Sequence, residues 1–187
     1  MKKVFFLLFL LFGLAIQLCA AEQLVVFQSQ EGALPFSNAD ICLTAQEHSC
    51  VSRAVKSLQN DMLKVTGHQP NIQVVQSKEF PASAIVVGTV GSNSLIDNWV
   101  KKGVLKDLKG KTEKYIIKTI GNQLVIAGSD KRGTVYGIYE LSRQIGVSPW
   151  YYWADVPVEQ HSELYIRNGE YTDGEPAVEF RGLFLND

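Results

Sequence analysis

The amino-acid sequence predicts a mixed α/β or α+β domain. Short apolar runs such as Ala84–Gly88 alternate along the chain with segments in which apolar residues recur every three or four positions. A Gly121-Asn122 pair between two further apolar runs is typical of a β-hairpin. When the first 21 of the 187 residues are set aside, 166 remain, which is enough to bury one ordinary core.

The first 21 residues have the composition of a secretory signal peptide. Lys2 and Lys3 precede an apolar run, Val4–Leu18, that is shorter than the ~20 residues of a transmembrane helix. Cys19-Ala20-Ala21 then supplies small residues at the cleavage site. A lipoprotein signal acylated at Cys19 is the alternative, but it favours a small residue in place of Leu18. We therefore expect an exported protein, periplasmic or extracellular, that leaves the membrane after cleavage.

The charge of the remaining chain argues against a nucleic-acid partner. Two of the 18 basic residues lie in the signal peptide, which leaves 16 basic against 19 acidic side chains and a formal charge of −3. Nucleic-acid binding requires a clustered basic surface. No such partner is expected.

The first half of the domain predicts four strands and one helix. Strands are expected at 24–27, 41–43, 72–75 and 84–88, because these runs are short and apolar. Between the second and third of them lies a helix with Ser49 as its N-cap and Gly67 at its C-terminal end. The apolar face of that helix is formed by Val51, Ala54, Val55, Leu58, Met62 and Val65.

Two glycine-containing turns lead from strands into helices. Gly88–Ser94 opens a helix through Leu95 and Val100; its G-x-x-G spacing can hold a phosphate, but a tight strand-to-helix turn is the favoured interpretation. Gly128–Gly137 has the G-x4-G spacing of a P-loop, yet Thr134 occupies the position of the essential lysine. A nucleotide site is therefore not predicted at either turn.

The second turn instead predicts a helix that packs closely on the sheet. Gly133 and Gly137 permit close approach, and Gly146 ends the helix. The hairpin strands at 115–119 and 123–127 precede it, and a last strand is expected at 164–166. The residues of this helix that face inward are Val135, Ile138, Leu141 and Ile145.

Cys42 and Cys50 remain after the signal peptide, and three interpretations of them are open. An exported protein allows a disulfide, and His48 adds a third potential metal ligand. Zinc is disfavoured because paired C-x-x-C spacing and a fourth ligand are missing, so two free thiols are the favoured interpretation. The isolated His68 and His161 are expected to be solvated loop residues.

Four aromatic residues follow one another at positions 150–153. On an extended segment Trp150 and Tyr152 would face one side, and Tyr151 and Trp153 the other. The favoured interpretation is that one pair packs on the domain core and the other on an adjoining domain. A sugar-stacking platform is the alternative, since aromatic rings offer broad apolar faces.

The C-terminal residues predict a strand without a partner. Val178–Asp187 is apolar and strand-like, and Glu175-Pro176 before it is typical of a hinge. An unpaired strand exposes backbone groups and apolar side chains. We therefore expect this chain to be the front part of a longer protein, with a domain at 22–173 followed by a separate segment at 174–187.

Several segments of the chain resemble glycoside hydrolase family 115. Gly128–Val158 is similar to the N-terminal region of that family, and its aromatic part, Pro149–Val158, is the most specific. Gly174–Asp187 resembles the entry into the catalytic barrel of the family, and Arg53–Asp61 resembles its first helix. The resemblance covers essentially all of the chain after the signal peptide.

This resemblance implies an α+β two-layer accessory domain of the hexosaminidase/glucuronidase N-terminal type, followed by the first strand of a truncated (β/α)8 TIM barrel. It further implies a bacterial α-glucuronidase that removes glucuronic acid or 4-O-methylglucuronic acid from xylan, its glucuronoxylan partner, by an inverting mechanism. Neither a cofactor nor a metal is implied, and the full-length enzyme could form a homodimer. Because such a barrel takes ~250 residues, the 187-residue chain alone is expected to be inactive.

The resemblance also suggests site residues. If Phe180–Leu185 is the first barrel strand, Asn186 and Asp187 fall at its C-terminal end, where barrel active sites are built. Asp187 would bind a hydroxyl group or assist acid–base catalysis, with a strand-end turn as the alternative. Arg181 would pair with a uronate carboxylate, or form a structural ion pair.

A second class of function is also open. Tyr151 and Trp153 would bind substrate in the enzyme, or would form the binding surface of a stand-alone carbohydrate- or partner-binding module. The apolar C-terminal run Leu183–Leu185 favours the enzyme, because a self-sufficient module is expected to end in a polar segment.

Overall fold

A computed structural model describes residues 23–76, 80–151 and 153–182 of the chain. The expected signal peptide, Asn186 and Asp187 lie outside the described residues. Strands and helices alternate along the described part, as the sequence predicts. The elements are β1 (Val25–Val26), β2 (Leu34–Pro35), β3 (Asp40–Thr44), α1 (Ser49–Thr66), β4 (Ile72–Val75), β5 (Ala84–Thr89), α2 (Ser94–Lys101), β6 (Tyr115–Ile120), β7 (Gln123–Gly128), α3 (Lys131–Gln144), β8 (Tyr165–Ile166) and β9 (Glu170–Tyr171).

The strands form two sheets. The larger sheet has the order β4-β3-β5-β7-β6-β9, in which β4, β3, β5 and β7 are parallel and β6 runs antiparallel to both β7 and β9. The smaller sheet has the order β1-β8-β2, and Ile166 of its central strand pairs with Val25 on one side and Leu34 on the other. The hairpin predicted from Gly121-Asn122 is confirmed as β6–β7.

Helices cover both faces of the larger sheet. Along β5, Ile85 and Val87 pack in the cluster that contains α1 and α3, whereas Ala84 and Val86 pack against α2 and the segment that follows it. All six residues of β5 are buried, as is typical of a parallel strand covered on both sides. The expectation of two layers is therefore wrong, because α2 and the buried Leu105 and Leu108 add a third layer.

The limits of α1 agree with the sequence prediction at one end only. Gly67 ends the helix in the left-handed conformation (φ 75°), and its N–H donates to the Leu63 carbonyl. The N-cap is His48 and not Ser49, because the backbone of His48 is extended and its carbonyl accepts the N–H groups of Val51 and Ser52. Ser49 is thus the first helical residue.

Helix α3 lies very close to the sheet, as the glycines predict. A Cβ atom on Gly133 would be 2.3 Å from the carbonyl oxygen of Lys114. A Cβ on Gly137 would be 2.8 Å from the Ile126 side chain, and one on Gly128 would be 2.1 Å from the Thr134 nitrogen. A side chain at any of these three positions would collide with the backbone or side chains of the neighbouring element, so glycine is required there.

The expected strand at 178–187 is not formed in its described part. Residues 178–182 are in no strand, and Arg181 Nη1 donates to the Val178 carbonyl at 2.6 Å. The side chain of Arg181 thus bonds to the backbone of its own segment and not across to a neighbouring strand. The rest of the segment, 183–187, lies outside the described residues, so no barrel strand is described.

No helix within residues 23–76, 80–151 and 153–182 has the length and apolar character needed to cross a bilayer.

Candidate functional site

The carboxyl ends of the parallel strands gather a cluster of polar side chains. In open α/β sheets this edge is where ligands usually bind. Glu47 follows β3, and its two carboxylate oxygens accept the N–H and the hydroxyl of Thr89, at 2.8 and 2.9 Å. The Thr134 hydroxyl lies 2.8 Å from that of Thr89 and 3.0 Å from the Asp130 carbonyl, and its one proton is within reach of both acceptors. Burial raises the pKa of the Glu47 carboxyl.

Side chains of the adjacent G-x-x-G turn and of α2 bind the backbone N–H groups next to this cluster. The Asn93 side chain accepts the N–H groups of Leu95 and Ile96, and Asp97 accepts that of Gly91. The backbone donors that would hold a phosphate at the G-x-x-G turn are therefore occupied. The interpretation of this segment as a tight strand-to-helix turn is confirmed.

Cys42 and Cys50 are free thiols. Cys42 is buried in β3, where desolvation, assisted by Asp40, raises the pKa of its thiol to about 11. Cys50 is exposed in the first turn of α1. Within the described ranges there is no group of three or more His, Cys, Asp or Glu side chains that could hold a metal ion.

His161 does not behave as a solvated loop residue. Its ring stacks on the ring of Phe27, with centroids 3.6 Å apart and an interplanar angle of 14°. Its backbone N–H donates to the Val65 carbonyl at 2.8 Å. The expectation was wrong because the partners of His161 lie far away in the sequence.

Arg181, a candidate for uronate binding, is engaged in an ion-pair cluster. Its guanidinium pairs with Glu113, which also pairs with Arg132 at 2.9 Å. Hydrogen bonding to Tyr136, and then to Glu113, raises the pKa of Arg181. Glu113 is 7% exposed. Arg181 thus binds a carboxylate of its own chain in this structure.

The aromatic run forms turns and not an extended segment. Tyr151 N–H donates to the Ser148 carbonyl and Trp153 N–H to that of Trp150, at 3.0 and 3.1 Å. The predicted alternation of faces is therefore wrong. Trp153 is 84% exposed, whereas Tyr151 is half-buried against the core and carries Lys64 Nζ over its ring, 4.2 Å from the centroid. Tyr152 lies outside the described residues.

A groove between α1 and α3 lies next to Tyr151. We call it the α1–α3 groove; its volume is about 230 Å³. The groove was not predicted from the sequence. Two polar residues within apolar helix faces could have indicated it: Asp61 beside Met62, and Ser142 beside Leu141. The residues that line the groove are Ser57, Asp61, Tyr139, Ser142, Arg143, Val147, Ser148, Pro149 and Tyr151.

Comparison with known proteins connects the chain to glycoside hydrolases. The family described as "Glycosyl hydrolase family 67 N-terminus" matches residues 29–141. A solved structure of a family GH115 4-O-methyl-alpha-glucuronidase with specificity for decorated arabinogalactans is similar, with 28% identity over 75% of this chain and a TM-score of 0.61. The chitobiase of Flavobacterium johnsoniae shares the fold, with 16% identity over 88% of this chain and a TM-score of 0.53.

The chain spans 18% of the length of the GH115 enzyme and 21% of the length of the chitobiase. None of the curated proteins matches the sequence. The resemblance to N-terminal domains of glycoside hydrolases is thus confirmed at the level of the fold.

Proposed function

The chain belongs to the family of the glycosyl hydrolase family 67 N-terminus, and we propose that it is the N-terminal part of an exported α-glucuronidase related to family 115. The complete protein would release glucuronic acid or 4-O-methylglucuronic acid from a plant polysaccharide, with glucuronoxylan as the first candidate. The similarity to the GH115 4-O-methyl-alpha-glucuronidase, 28% identity over 75% of the chain, carries this proposal.

The chemistry of this proposal requires two carboxyl groups. In an inverting glycosidase one acid protonates the leaving oxygen and one carboxylate activates a water on the opposite face of the sugar, with about 6.5–9.5 Å between them. The most buried carboxylates of the described residues are engaged otherwise: Glu113 pairs with two arginines and Asp61 with Lys64, and the half-buried Glu47 is bonded to Thr89. We therefore expect the 187-residue chain itself to release no uronic acid.

The proposal is tested with the protein in the full length that its gene encodes. Glucuronoxylan, decorated arabinogalactan and undecorated xylan are incubated with it, and free uronic acid is measured together with its anomeric form by NMR. We expect uronic acid from at least one decorated polymer, with the inverted anomer appearing first. If neither decorated polymer yields uronic acid, the proposed activity is wrong.

The 187-residue chain is assayed beside the full-length protein. Release of uronic acid above the buffer rate by this chain would show that the catalytic carboxyl groups lie within it, which would contradict the expected inactivity.

A further inference from the structure

We infer that residues 173–181 form a rigid strap on the domain and not a hinge, and that Glu113 holds the end of this strap through Arg181. The sequence indicates a hinge at Glu175-Pro176, and residues 173–181 are in no helix or strand. The last residues of a domain are usually mobile unless other contacts tie them down. Here side chains of the domain bind the strap at its beginning, at the expected hinge and at its end.

The strap begins at Asp173, whose carboxylate accepts the hydroxyl groups of Tyr115 and Tyr171, the latter at 2.9 Å. Burial, and then the bond to Asp173, raises the pKa of Tyr171 to about 12, so this hydroxyl keeps its proton at neutral pH. The neighbouring Thr172 hydroxyl donates to the Tyr115 carbonyl at 2.5 Å. Tyr115 is a buried residue of β6. The strap therefore starts from the core of the domain.

The middle of the strap is bound at the expected hinge itself. The two carboxylate oxygens of Glu175 accept the Thr112 N–H at 2.8 Å and the Lys111 ammonium group at 3.0 Å. The Lys111 and Glu175 side chains are 43% and 37% exposed, and exposed ion pairs contribute little to stability. A rigid strap therefore needs a stronger contact further along the chain.

That stronger contact is the ion pair between Arg181 and the buried Glu113. Glu113 Oε1 lies 2.9 Å from Arg132 Nη1, and Glu113 Oε2 pairs with Arg181 Nη2, so each carboxylate oxygen has its own guanidinium group. Arg181 Nη1 also donates to the Val178 carbonyl at 2.6 Å. Removing one partner of a buried ion pair is strongly unfavourable. Release of Arg181 would take the cation away from one oxygen of a buried carboxylate, which favours the bound strap.

The domain itself positions the Glu113 carboxylate for Arg181. The φ of Glu113, 55°, lies in the left-handed region that residues other than glycine rarely adopt. Asp130 accepts the Glu113 N–H at 2.7 Å, and Gly133 leaves room for this backbone, because a Cβ there would lie 3.1 Å from the Glu113 carbonyl carbon. Such conformations persist where surrounding contacts determine them, commonly at clamps and switches. Neither Asp130 nor Gly133 belongs to the strap, so the position of the Glu113 carboxylate does not depend on it.

A rigid strap transmits the orientation of the domain to the residues that follow it. In the longer protein proposed above, the next domain would keep a fixed orientation relative to this one. That consequence depends on the proposed function, whereas the rigidity of the strap does not.

Backbone order parameters from ¹⁵N relaxation of the 187-residue chain test the inference. We expect about 0.85 for residues 174–181 in the wild type, whereas a hinge would give values below about 0.6. In Arg181→Gln and in Glu113→Gln, residues 178–181 should fall below about 0.6. Arg132→Gln is the matched control, because it removes the other cation of Glu113 and leaves the pair with Arg181; its strap should stay ordered.

Two results would overturn the inference. One is an order parameter below about 0.6 for residues 174–181 in the wild type. The other is a strap that stays ordered in Arg181→Gln, or that loses as much order in Arg132→Gln as in Arg181→Gln. Arg181→Gln decides even if Glu113→Gln does not fold, because Arg181 lies at the exposed end of the chain's described part.

Trypsin provides an independent measurement. Arg181 is the last basic residue of the sequence, so the peptide 182–187 is released only by cleavage after Arg181. Cleavage requires the segment to leave the domain. Loss of the charged bond in Glu113→Gln should therefore speed release of this peptide about tenfold, whereas Arg132→Gln should match the wild type. Equal rates in Glu113→Gln and the wild type would contradict the role given to Glu113.

The strap and the proposed activity fail separately. Uronic acid release by the full-length protein tests the proposed function, whatever the order of residues 174–181. The order parameters and the rate of trypsin cleavage test the strap, whatever the full-length protein releases.

Discussion

At the scale of single residues, the chemistry of this domain is decided by contacts between residues far apart in the sequence. Glu47 bonds to Thr89, 42 positions away, and Thr89 bonds to Thr134, another 45 positions away. The sequence gives no local signal for such a cluster, since Glu47 lies in an ordinary polar loop. Ser142 is visible in the sequence as a polar residue in an apolar helix face, but only the approach of α1 makes it line a groove.

The raised pKa of Glu47 predicts a pH-dependent stability. The folded state binds the proton of Glu47 more tightly than the unfolded state does. The contribution of Glu47 to stability is therefore complete below the ordinary glutamate pKa and is lost as pH rises through the folded pKa. In Glu47→Gln the amide keeps the bond to the Thr89 N–H and does not ionise. We therefore expect the free energy of unfolding of Glu47→Gln, relative to wild type, to increase from pH ~4 to ~7.

The measurement is urea unfolding of both proteins across that range. Glu175→Gln is the control of opposite sign, because the Thr112 N–H and then Lys111 lower the pKa of the exposed Glu175 carboxyl. The contribution of Glu175 to the free energy of unfolding is therefore lost as pH falls. Parallel pH curves for wild type and Glu47→Gln would refute the assignment.

At the scale of elements, the helix ends differ in how their N-terminal N–H groups are bound. The Asp130 side chain caps α3 by accepting the N–H groups of Arg132 and Gly133 at 2.9 and 2.8 Å, and it also accepts the Glu113 N–H at 2.7 Å. The N-cap of α1, His48, makes no side-chain cap bond. Two helices of one domain thus provide a capped and an uncapped N-terminus.

This difference predicts unequal effects of alanine substitution. Asp130→Ala should lower the free energy of unfolding by about 1–2 kcal/mol, because three backbone donors lose their acceptor. His48→Ala, the matched control, should stay within about 0.5 kcal/mol of wild type. Chemical unfolding at one pH measures both. Equal losses in the two variants would contradict the role given to Asp130.

At the scale of the whole molecule, one apolar cluster joins the two sheets. It includes Val25 and Ile166 of the small sheet together with Ile126 of the large sheet and Leu58 of α1. A shared core predicts one cooperative unfolding transition and not a separate loss of the small sheet.

Ile166→Ala tests this coupling. Ile166 is 1% exposed, so its truncation should cost about 2–5 kcal/mol and shift the whole transition. Far-UV circular dichroism and tryptophan fluorescence should report the same midpoint. Val74→Ala is the control, since Val74 is 59% exposed on β4 and should cost less than about 1 kcal/mol. Separate midpoints in Ile166→Ala would show that the small sheet unfolds independently.

The sequence by itself determined the mixed α/β class, the three helices of the described residues and the β6–β7 hairpin. These depend on local patterns: the spacing of apolar residues, glycines at turns, and the close approach that Gly133 and Gly137 allow. Only the tertiary structure decided the third layer, the short strands β2 and β9, the pairing of Arg181 with Glu113 and the α1–α3 groove. A two-residue strand or a buried ion pair exists only when a distant segment supplies the partner, and a single stretch of sequence does not encode that distance.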